Sequence, residues 1–334
     1  MNFPSILVAI IIFLFVVLFH EGGHFIAAKS VGIKVNEFAV GMGPAIIKKQ
    51  RGETLYSLRA LPLGGFCAME GEEEETDDPR GYDRAKPWQR FITIFAGPFM
   101  NLVIAWICFT LFLGMAGKQV PVIDRFSDNS VLQTAGLEIG DELLSINGNE
   151  IVDYDNMTDL IQKYGEKDIE IEYKKTDGSI NKVAVKPYEE NGQYYVGIVG
   201  KSVPDFSHAF VDGMKMSGRL FGQLFDILGR LFTGKLSLNA VSGPIGVIKT
   251  IGDATKEGLG TIIFFAGYIS LNLAFFNLLP IPALDGSKLL FIIIEKFRGK
   301  PINKEIENRI TIAGFIFLMG LIVVVSIKDI INIF

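Results

Sequence analysis

The sequence predicts an α-helical membrane protein with four transmembrane helices and one inserted soluble domain. Three observations support this fold class. Hydrophobic residues make up 49% of the chain and are concentrated in a few long runs, which is typical of membrane spans. Residues from about 118 to 200 are charged instead and alternate polar with apolar positions, as in a domain that folds in water. Lys and Arg residues gather beside some span ends, which predicts an orientation in the membrane.

Four stretches are long and apolar enough to cross a hydrocarbon core of roughly 30 Å. They run from Phe3 to about Ala28, from Phe91 to Met115, from about Leu259 to Leu279, and from Ile310 to Ile327. The first stretch has neither the basic start nor the small-residue cleavage site of a secretory signal peptide. We therefore expect it to stay attached as a spanning helix.

The segment between the first two spans, residues 30–90, is rich in glycine and contains short strand-forming pieces and an acidic run at Glu72–Glu75. Within it, Leu61–Phe66 (LPLGGF) predicts a strand and turn that is too apolar for free solvent. Irregular backbone enters a bilayer only where protein or a water-filled cavity satisfies its polar groups. Two interpretations are open: a re-entrant hairpin beside an active site, or a turn on the membrane surface.

Turn sequences at Ile146–Asn149 and Thr176–Ser179 punctuate the charged region and predict a small soluble domain. The next segment, His208–Thr233, has apolar residues at helical spacing. It fits a helix lying in the membrane interface and equally an ordinary amphipathic linker helix. The expected parts are residues 1–116 for the first two spans and their loop, 117–201 for the soluble domain, 202–257 for the linker, and 258–334 for the last two spans.

Basic residues are dense between spans three and four, as at Lys296 and Arg298, and they flank the loop between spans one and two. By the positive-inside rule both loops face the cytoplasm. Both termini and the soluble domain therefore lie on the extracytoplasmic side of the cell membrane. The net charge of -5, without a basic tract interleaved with aromatics, excludes a typical nucleic-acid-binding protein. Cys67 and Cys108 are far apart and are interpreted as small apolar residues.

The candidate chemistry begins at His20-Glu21-Gly22-Gly23-His24, in the last turns of the first span. Two histidines four residues apart share one face of a helix and can bind one ion. Glu21 lies beside them, where its carboxylate could take a proton from metal-bound water, and zinc suits this set. Ionisable residues in an apolar helix are costly unless they are functional. The alternative is a helix end whose polar residues reach the interface.

A catalytic zinc usually has three protein ligands. His208 lies on the opposite side of the membrane from the first motif in the expected topology and is a poor third ligand. Asp285 is better placed, directly after span three, where prolines and a glycine break the helix and let a carboxylate turn inward. Asn277 could hydrogen-bond a substrate backbone or an oxyanion, or it could simply link two helices.

These residues carry a family resemblance. The chain resembles the site-2 protease family of intramembrane zinc metalloproteases, in particular the bacterial regulator-of-sigma-E protease branch with a single PDZ domain. HExxH at His20–His24 and Asn-x-x-Pro-x-Pro-x-Leu-Asp-Gly at Asn277–Gly286 both match the family pattern. Phe95–Asn101 and Ser242–Gly246 resemble further segments of that branch. The resemblance thus implies Glu21 as the catalytic base and one zinc ion held by His20, His24 and Asp285.

Two other parts of the resemblance concern substrate. Gly64, Gly65 and Phe66 are similar to a family loop that forms a membrane-inserted β-hairpin contacting substrate, which favours the re-entrant interpretation. Ala135–Asp141 is similar to circularly permuted PDZ domains, which implies an extracytoplasmic PDZ-like α+β domain that binds extended peptides. Gly197 and Ile198 would match its carboxylate-binding loop.

The resemblance also implies the reaction. Family members cleave transmembrane segments of single-span proteins that another protease has already shortened, such as anti-sigma factors or signal-peptide remnants. Two other classes of function fit part of the sequence. A non-catalytic peptide receptor is disfavoured by the intact Glu21 beside the ligands, and a metal or proton transporter using His20 and Asp285 is disfavoured because no internal repeat is visible.

Overall fold

The computed structural model describes residues 3–72, 74–235 and 243–333. Glu73 of the acidic run and Ser242 of the Ser242–Gly246 segment lie outside the described residues. The chain divides into two compact units: the first combines Met1–Phe112 with Ala209–Phe334, and the second is Leu113–His208.

Among the described residues, four helices are long and apolar enough to span a membrane, as the sequence predicts: they cover Ile6–Ser30, Pro87–Ala116, Leu259–Leu278 and Lys304–Asp329. They belong to α1, α2, α7 and α9. The helices are α1 (Phe3–Ser30), α2 (Pro87–Ala116), α3 (Val131–Thr134), α4 (Tyr154–Tyr164), α5 (Ala209–Phe232), α6 (Pro244–Glu257), α7 (Leu259–Leu278), α8 (Asp285–Arg298) and α9 (Lys304–Ile333).

Helices α1, α2 and α7 pack against one another through apolar and small side chains. Val16 of α1 is fully buried in a cluster with Ile104 of α2 and Ala266 of α7. A Cβ atom on Gly23 would lie 2.3 Å from the carbonyl oxygen of Ala96. Glycine therefore permits the close approach of α1 to α2, as small residues commonly do between membrane helices.

Helix α9 packs less closely. Only 6% of its most apolar stretch is buried, compared with 33% in α1, α2 and α7, and side chains such as Ile316 are exposed. One contact with the rest of its unit is at Gly314, where a Cβ would lie 2.3 Å from Cβ of Pro282. Another is at Asp329, whose Oδ2 accepts a hydrogen bond of 2.8 Å from the backbone N–H of Gly246 at the start of α6.

Residues 35–69 form a long β-hairpin. Strand β1 (Val35–Arg51) pairs antiparallel with β2 (Thr54–Met69), and the chain reverses between Arg51 and Thr54. The sequence predicted a turn within Leu61–Phe66, and these residues lie inside β2. Residues 37–40 of β1 pair with residues 55–58 in one direction and with residues 65–68 in the opposite direction. The two halves of β2 therefore run in opposite directions, and the chain reverses between Leu58 and Gly65, where Gly64 adopts a positive φ of 75°.

The second unit contains the remaining strands. They are β3 (Lys118–Phe126), β4 (Glu142–Ile146), β5 (Asn149–Glu150), β6 (Ile169–Lys174), β7 (Ile180–Val185), β8 (Tyr188–Glu190), β9 (Gln193–Tyr195) and β10 (Ile198–Val203). The larger sheet has the order β10-β3-β4-β6-β7, with β5 paired to β4. Its core includes the fully buried side chains of Leu132, Ile146 and Ile171. The alternating apolar pattern of β6 supplies this core from one face of the strand.

Candidate metal centre

Helix α1 places two predicted metal ligands on one face. Nε2 of His20 lies 3.3 Å from Nε2 of His24, and the two rings are perpendicular to each other. Both side chains are buried. Because residues four apart stand one above the other on a helix, the Nε2 atoms of both histidines can bind the same ion.

The segment after α7 changes direction sharply. Helix α7 ends at Leu278, and Pro280 and Pro282 follow, neither of which can donate a backbone hydrogen bond to continue the helix. Ala283 then adopts a φ of 74°, a left-handed conformation that is uncommon for residues with a side chain. The helix break predicted from the two prolines is therefore present. After it, the chain turns back towards the end of α7.

This return brings the third predicted ligand to the histidines. A Cβ on Gly286 would lie 2.0 Å from the carbonyl oxygen of Leu279, so the tight return requires glycine at this position. Asp285 is the first residue of α8. Its Oδ2 lies 3.2 Å from Nε2 of His20 and 3.4 Å from Nε2 of His24.

The three side chains could together hold a metal ion. One ligand atom from each lies within 4.8 Å of the others. Oδ2 of Asp285 is buried without a hydrogen-bond partner among the described residues, whereas most buried polar atoms have one. A bound cation would satisfy this oxygen. Two imidazole nitrogens and one carboxylate oxygen also form a donor set that catalytic zinc sites use, with a fourth position open.

The charge state of Asp285 suits this role. Burial works against ionisation of its carboxyl, but the charges of the neighbouring His24 and His20 imidazoles outweigh it and hold the pKa of Asp285 below its ordinary value. The carboxyl is therefore anionic near neutral pH, as a metal ligand must be.

Helix α2 orients His24 and leaves space for it. Nδ1 of His24 lies 2.8 Å from the backbone carbonyl oxygen of Thr93, which can accept a hydrogen bond from Nδ1–H and so leave Nε2 free to bind a metal. One turn further along α2, a Cβ on Gly97 would lie 2.2 Å from Nε2 of His24. A larger residue at position 97 would thus occupy the space in front of the candidate ligand atom.

Asn101, one turn beyond Gly97, lies beside the other histidine. Its Nδ2 is 3.2 Å from Nδ1 of His20, and its side chain is fully buried. Thr93, Gly97 and Asn101 therefore form one face of α2 that packs on the ligand face of α1. Sequence reasoning singled out Phe95–Asn101 only by resemblance and missed these individual roles. The available signal was the four-residue spacing of polar and small residues in an apolar span.

Glu21 faces the β-hairpin. A Cβ on Gly65 would lie 3.4 Å from Cγ of Glu21 and 2.8 Å from the carbonyl oxygen of Ala39. Strand β2 therefore runs directly beside α1 at this point. Glu21 and the three candidate ligands line a cavity of about 1670 Å³, together with Phe66. The arrangement leaves room for a peptide chain and for water next to the Glu21 carboxylate.

The other residues predicted to bind substrate differ in whether they line this cavity. Phe66 lines the cavity, and the Arg59 guanidinium lies over its ring at 4.8 Å from the ring centre. A Cβ on Gly64 would lie 2.8 Å from the terminal methyl group of Met42. Asn277 is buried in the last turn of α7, but it is not among the described residues that line the cavity. Substrate contacts for these residues stay predictions.

Gly197 and Ile198 belong to the second unit. Gly197 has a φ of 80° and directly precedes β10, which lies at one edge of the larger sheet. The carbonyl oxygen of Ile198 accepts a hydrogen bond of 3.3 Å from the Tyr154 hydroxyl. An edge strand is the element to which an extended peptide can add. Peptide binding at these residues stays a prediction.

Comparison with known proteins agrees with this geometry. The model of Peptidase family M50 matches residues 8–321. A Clostridium perfringens protein named as a zinc metalloprotease is 39% identical over 329 residues, which cover 98% of each chain. The zinc metalloprotease RasP of Shouchella clausii is 31% identical over 423 aligned positions, covering 99% of each chain. The regulator of sigma-W protease RasP of Bacillus subtilis is 28% identical over 418 aligned positions, again covering 99% of each.

The match extends through α1, α2 and α7 and into α9, so it includes the candidate ligands and the four apolar helices. The family resemblance drawn from the HExxH and Leu-Asp-Gly motifs is confirmed, and so is the expected zinc cofactor, since the relatives are named zinc metalloproteases. The chain belongs to Peptidase family M50, the site-2 protease family, and is a multi-pass membrane zinc metalloprotease.

Proposed function

We propose that this protease cleaves peptide bonds within transmembrane segments of single-span membrane proteins that another protease has already shortened, in regulated intramembrane proteolysis. Anti-sigma factors and signal-peptide remnants are the expected substrate types. The observation that carries the proposal is the convergence of His20, His24 and Asp285 beside Glu21, next to strand β2. Two histidines and a base on an apolar spanning helix, with Asp285 of α8 brought beside them, suit hydrolysis of a bond inside the membrane.

Each candidate residue has a defined part in this chemistry. His20, His24 and Asp285 would hold the zinc ion through the atoms that now converge. When bound, zinc supplies Lewis acidity, which polarises a peptide carbonyl and makes a water molecule more acidic. The Glu21 carboxylate accepts a proton from the attacking water and passes it to the leaving amide nitrogen as the carbon–nitrogen bond breaks.

Strand β2 would hold the substrate open to attack. A transmembrane helix keeps its carbonyl groups in internal hydrogen bonds, so its scissile bond must first become extended. Strand addition provides an extended geometry, and β2 passes Glu21 at Gly65. Exposed apolar residues of the hairpin, including Met42, Ile46 and Leu61, suit a hairpin that inserts into lipid. Gly64, Gly65 and Phe66 are accordingly proposed to contact substrate, with Asn277 binding its backbone.

The second unit would select substrates rather than cut them. We assign it the PDZ-like role predicted from its sequence, with Gly197 and Ile198 at the site for a newly exposed carboxyl terminus. The edge position of β10 and the positive φ of Gly197 support this role. In the same proposal both termini and this unit lie outside the cytoplasm, and the metal centre lies towards the cytoplasmic side, in keeping with the basic loops.

The main test replaces the proposed base while leaving the ligands in place. Glu21→Gln in the full-length protein should retain zinc but lower cleavage of a single-span model substrate by about 10²- to 10⁴-fold, the usual contribution of general acid–base catalysis. Glu305→Gln, at an exposed position in the first turn of α9, makes the same chemical change and should leave cleavage intact. Full turnover by Glu21→Gln would remove Glu21 from the mechanism.

A second comparison tests the substrate class. The same transmembrane segment is presented with a short or a long extracytoplasmic domain, and cleavage is followed in reconstituted vesicles. The short form should be cut faster. Equal rates for both forms would contradict selection of pre-shortened substrates, and cleavage only of soluble peptides would contradict the intramembrane reaction.

A further inference from the structure

The buried side chain of Asn101 has no role in the reaction described above. It lies in the middle of the α2 span and is 0% exposed. Its Nδ2 is 3.2 Å from Nδ1 of His20, and its Oδ1 is buried with no hydrogen-bond partner among the described residues. A primary amide in an apolar helix costs free energy unless its polar atoms are bonded, and polar residues at this depth usually have a function.

The position of the other ring nitrogen of His20 defines what this amide must do. Nε2 of His20 faces Nε2 of His24 and Oδ2 of Asp285, so Nε2 is the atom that would bind the metal. A neutral imidazole that binds a metal through Nε2 carries its proton on Nδ1 and needs an acceptor for that N–H. The nearest partner of Nδ1 is the Asn101 amide.

We propose that Asn101 is a positioning residue that fixes the tautomer and ring orientation of His20 for zinc binding. The proposal rests on the metal-ligand roles given above. Nδ2 faces His20 and can donate to an unprotonated Nδ1. With metal on Nε2, rotation of the amide by about 180° presents Oδ1 to Nδ1–H across the same contact. The carbonyl and amino ends of an amide have nearly the same shape, so the rotation needs no movement of α2.

The surroundings of Asn101 support a fixed position. Its backbone carbonyl oxygen accepts a hydrogen bond of 2.9 Å from Oγ of Ser270 on α7, and Ser270 is itself fully buried. Asn101 therefore joins α1 through its side chain and α7 through its backbone. The two histidines thus differ in how they are oriented: His24 is paired with a backbone carbonyl and His20 with a side chain that substitution can remove.

The test measures zinc retention, a property separate from cleavage. Full-length protein in detergent is loaded with zinc and challenged with a chelator, and the apparent dissociation constant is compared among variants. Asn101→Leu removes the acceptor with little change in size and should weaken zinc binding by about 10- to 100-fold, the usual cost of losing a group that orients a metal-bound histidine. Asn101→Asp keeps an acceptor for Nδ1–H and should stay within a few-fold of the wild type.

The order of the two variants decides between positioning and packing. If Asn101 only fills space, a buried charge in Asn101→Asp should be worse than the apolar Asn101→Leu. Tighter zinc binding by Asn101→Asp than by Asn101→Leu supports the proposal, and the reverse order overturns it. If Asn101→Leu fails to fold, Asn101→Asp alone decides, since near-normal zinc binding supports the proposal and a 10-fold or greater loss contradicts it.

Two further variants separate this inference from the assignment of the ligands. His20→Ala and Asp285→Ala should lose zinc binding altogether. If both lose zinc while Asn101→Leu binds it normally, only the positioning role fails. If both keep zinc, the ligand assignment itself is wrong. Ser270→Ala, which removes the contact of Asn101 with α7 but not its amide, should retain zinc.

Discussion

Helices α1, α2 and α7 differ from α9 in how the protein uses them. The first three bury a third of their most apolar stretch, and α9 buries only 6%. The buried stretches carry His20, Asn101 and Ser270 in one connected polar group, whereas α9 presents exposed apolar residues such as Ile316. The difference teaches that helices of similar length and apolar composition can serve two purposes, holding a buried polar group or facing lipid, and that substitution can separate them.

The largest effect is expected at Gly97, at the centre of the packed group. Gly97→Ala places a Cβ 2.2 Å from Nε2 of His24, so either the ring or α2 must move. Since a displacement of about 1 Å can cost about 10²-fold in rate, cleavage should fall by at least about 10²-fold, together with zinc content measured by atomic absorption. Gly320→Ala in α9, where a Cβ meets nothing within 4 Å, is the matched control and should behave as wild type. A zinc-replete, active Gly97→Ala protein would contradict the geometry.

The next largest effect is expected at Gly286. Its substitution by Ala puts a Cβ 2.0 Å from the Leu279 carbonyl oxygen, which should push Asp285 away from the histidines. We expect a loss of about 10²-fold in cleavage with weaker zinc binding, measured by chelator competition. Gly222→Ala in α5 has open space around its Cβ and should change neither property. Normal zinc binding by Gly286→Ala would show that the return loop tolerates the extra atom.

Gly314 tests whether α9 is as independent of the centre as its exposure suggests. Gly314→Ala would bring a Cβ within 2.3 Å of Cβ of Pro282, three residues before Asp285. Overpacking of this kind costs about 1–3 kcal/mol, and we expect several-fold slower cleavage with zinc still bound. A rate equal to the wild type would show that this contact of α9 does not affect the metal centre, although Thr311 and Ile312 of α9 line the cavity.

Asp329 should affect stability more than catalysis. Asp329→Ala removes the acceptor for the Gly246 N–H, and a hydrogen bond to a charged group contributes about 1.5–3 kcal/mol. We expect a lower midpoint of thermal unfolding in detergent and a nearly unchanged cleavage rate per folded molecule. Asp329→Asn keeps a carbonyl acceptor and should lose less. Equal midpoints for Asp329→Ala and the wild type would mean that this bond does not hold α6 to α9.

The smallest effect is expected at the lipid-facing surface of α9. Ile316→Ala changes a side chain that is 66% exposed and should shift stability by no more than about 0.5 kcal/mol. Ile104→Ala makes the same change at a buried position of α2 and should cost about 2–5 kcal/mol through the cavity it leaves. Comparison of the two unfolding midpoints measures the contrast directly. Similar losses would show that Ile316 itself has a packing partner.

The structural features that the sequence predicted correctly depend on short, local patterns of residues. Apolar length alone located the four spanning helices, and the four-residue spacing of His20 and His24 placed both on one face of α1. Asp285 was found because the prolines at 280 and 282 mark where α7 must end. In each case neighbouring residues contain the needed information.

The features that were missed depend on how separate helices and strands meet. The four-residue spacing of Thr93, Gly97 and Asn101 marks one face of α2, but their roles follow from the rotation of α2 against α1, which the spacing does not give. The pairing of the hairpin was also missed: the glycines at 64 and 65 indicated a turn, but not that residues 37–40 pair with both halves of β2, residues 55–58 and 65–68. Glycine serves for close approach and for irregular register as well as for turns, and only the paired strand distinguishes these uses.

The cavity beside Glu21 bears on the supply of water to a reaction inside lipid. A water molecule occupies about 30 Å³ in the liquid, so a volume of about 1670 Å³ corresponds to roughly 50 molecules. Each turnover consumes one. The reservoir thus exceeds the demand of a single cleavage many times, and water need not permeate the surrounding acyl chains for the next bond to be cut. In the proposed function a substrate helix must unwind beside β2 before attack, so slower-melting transmembrane segments should be the poorer substrates.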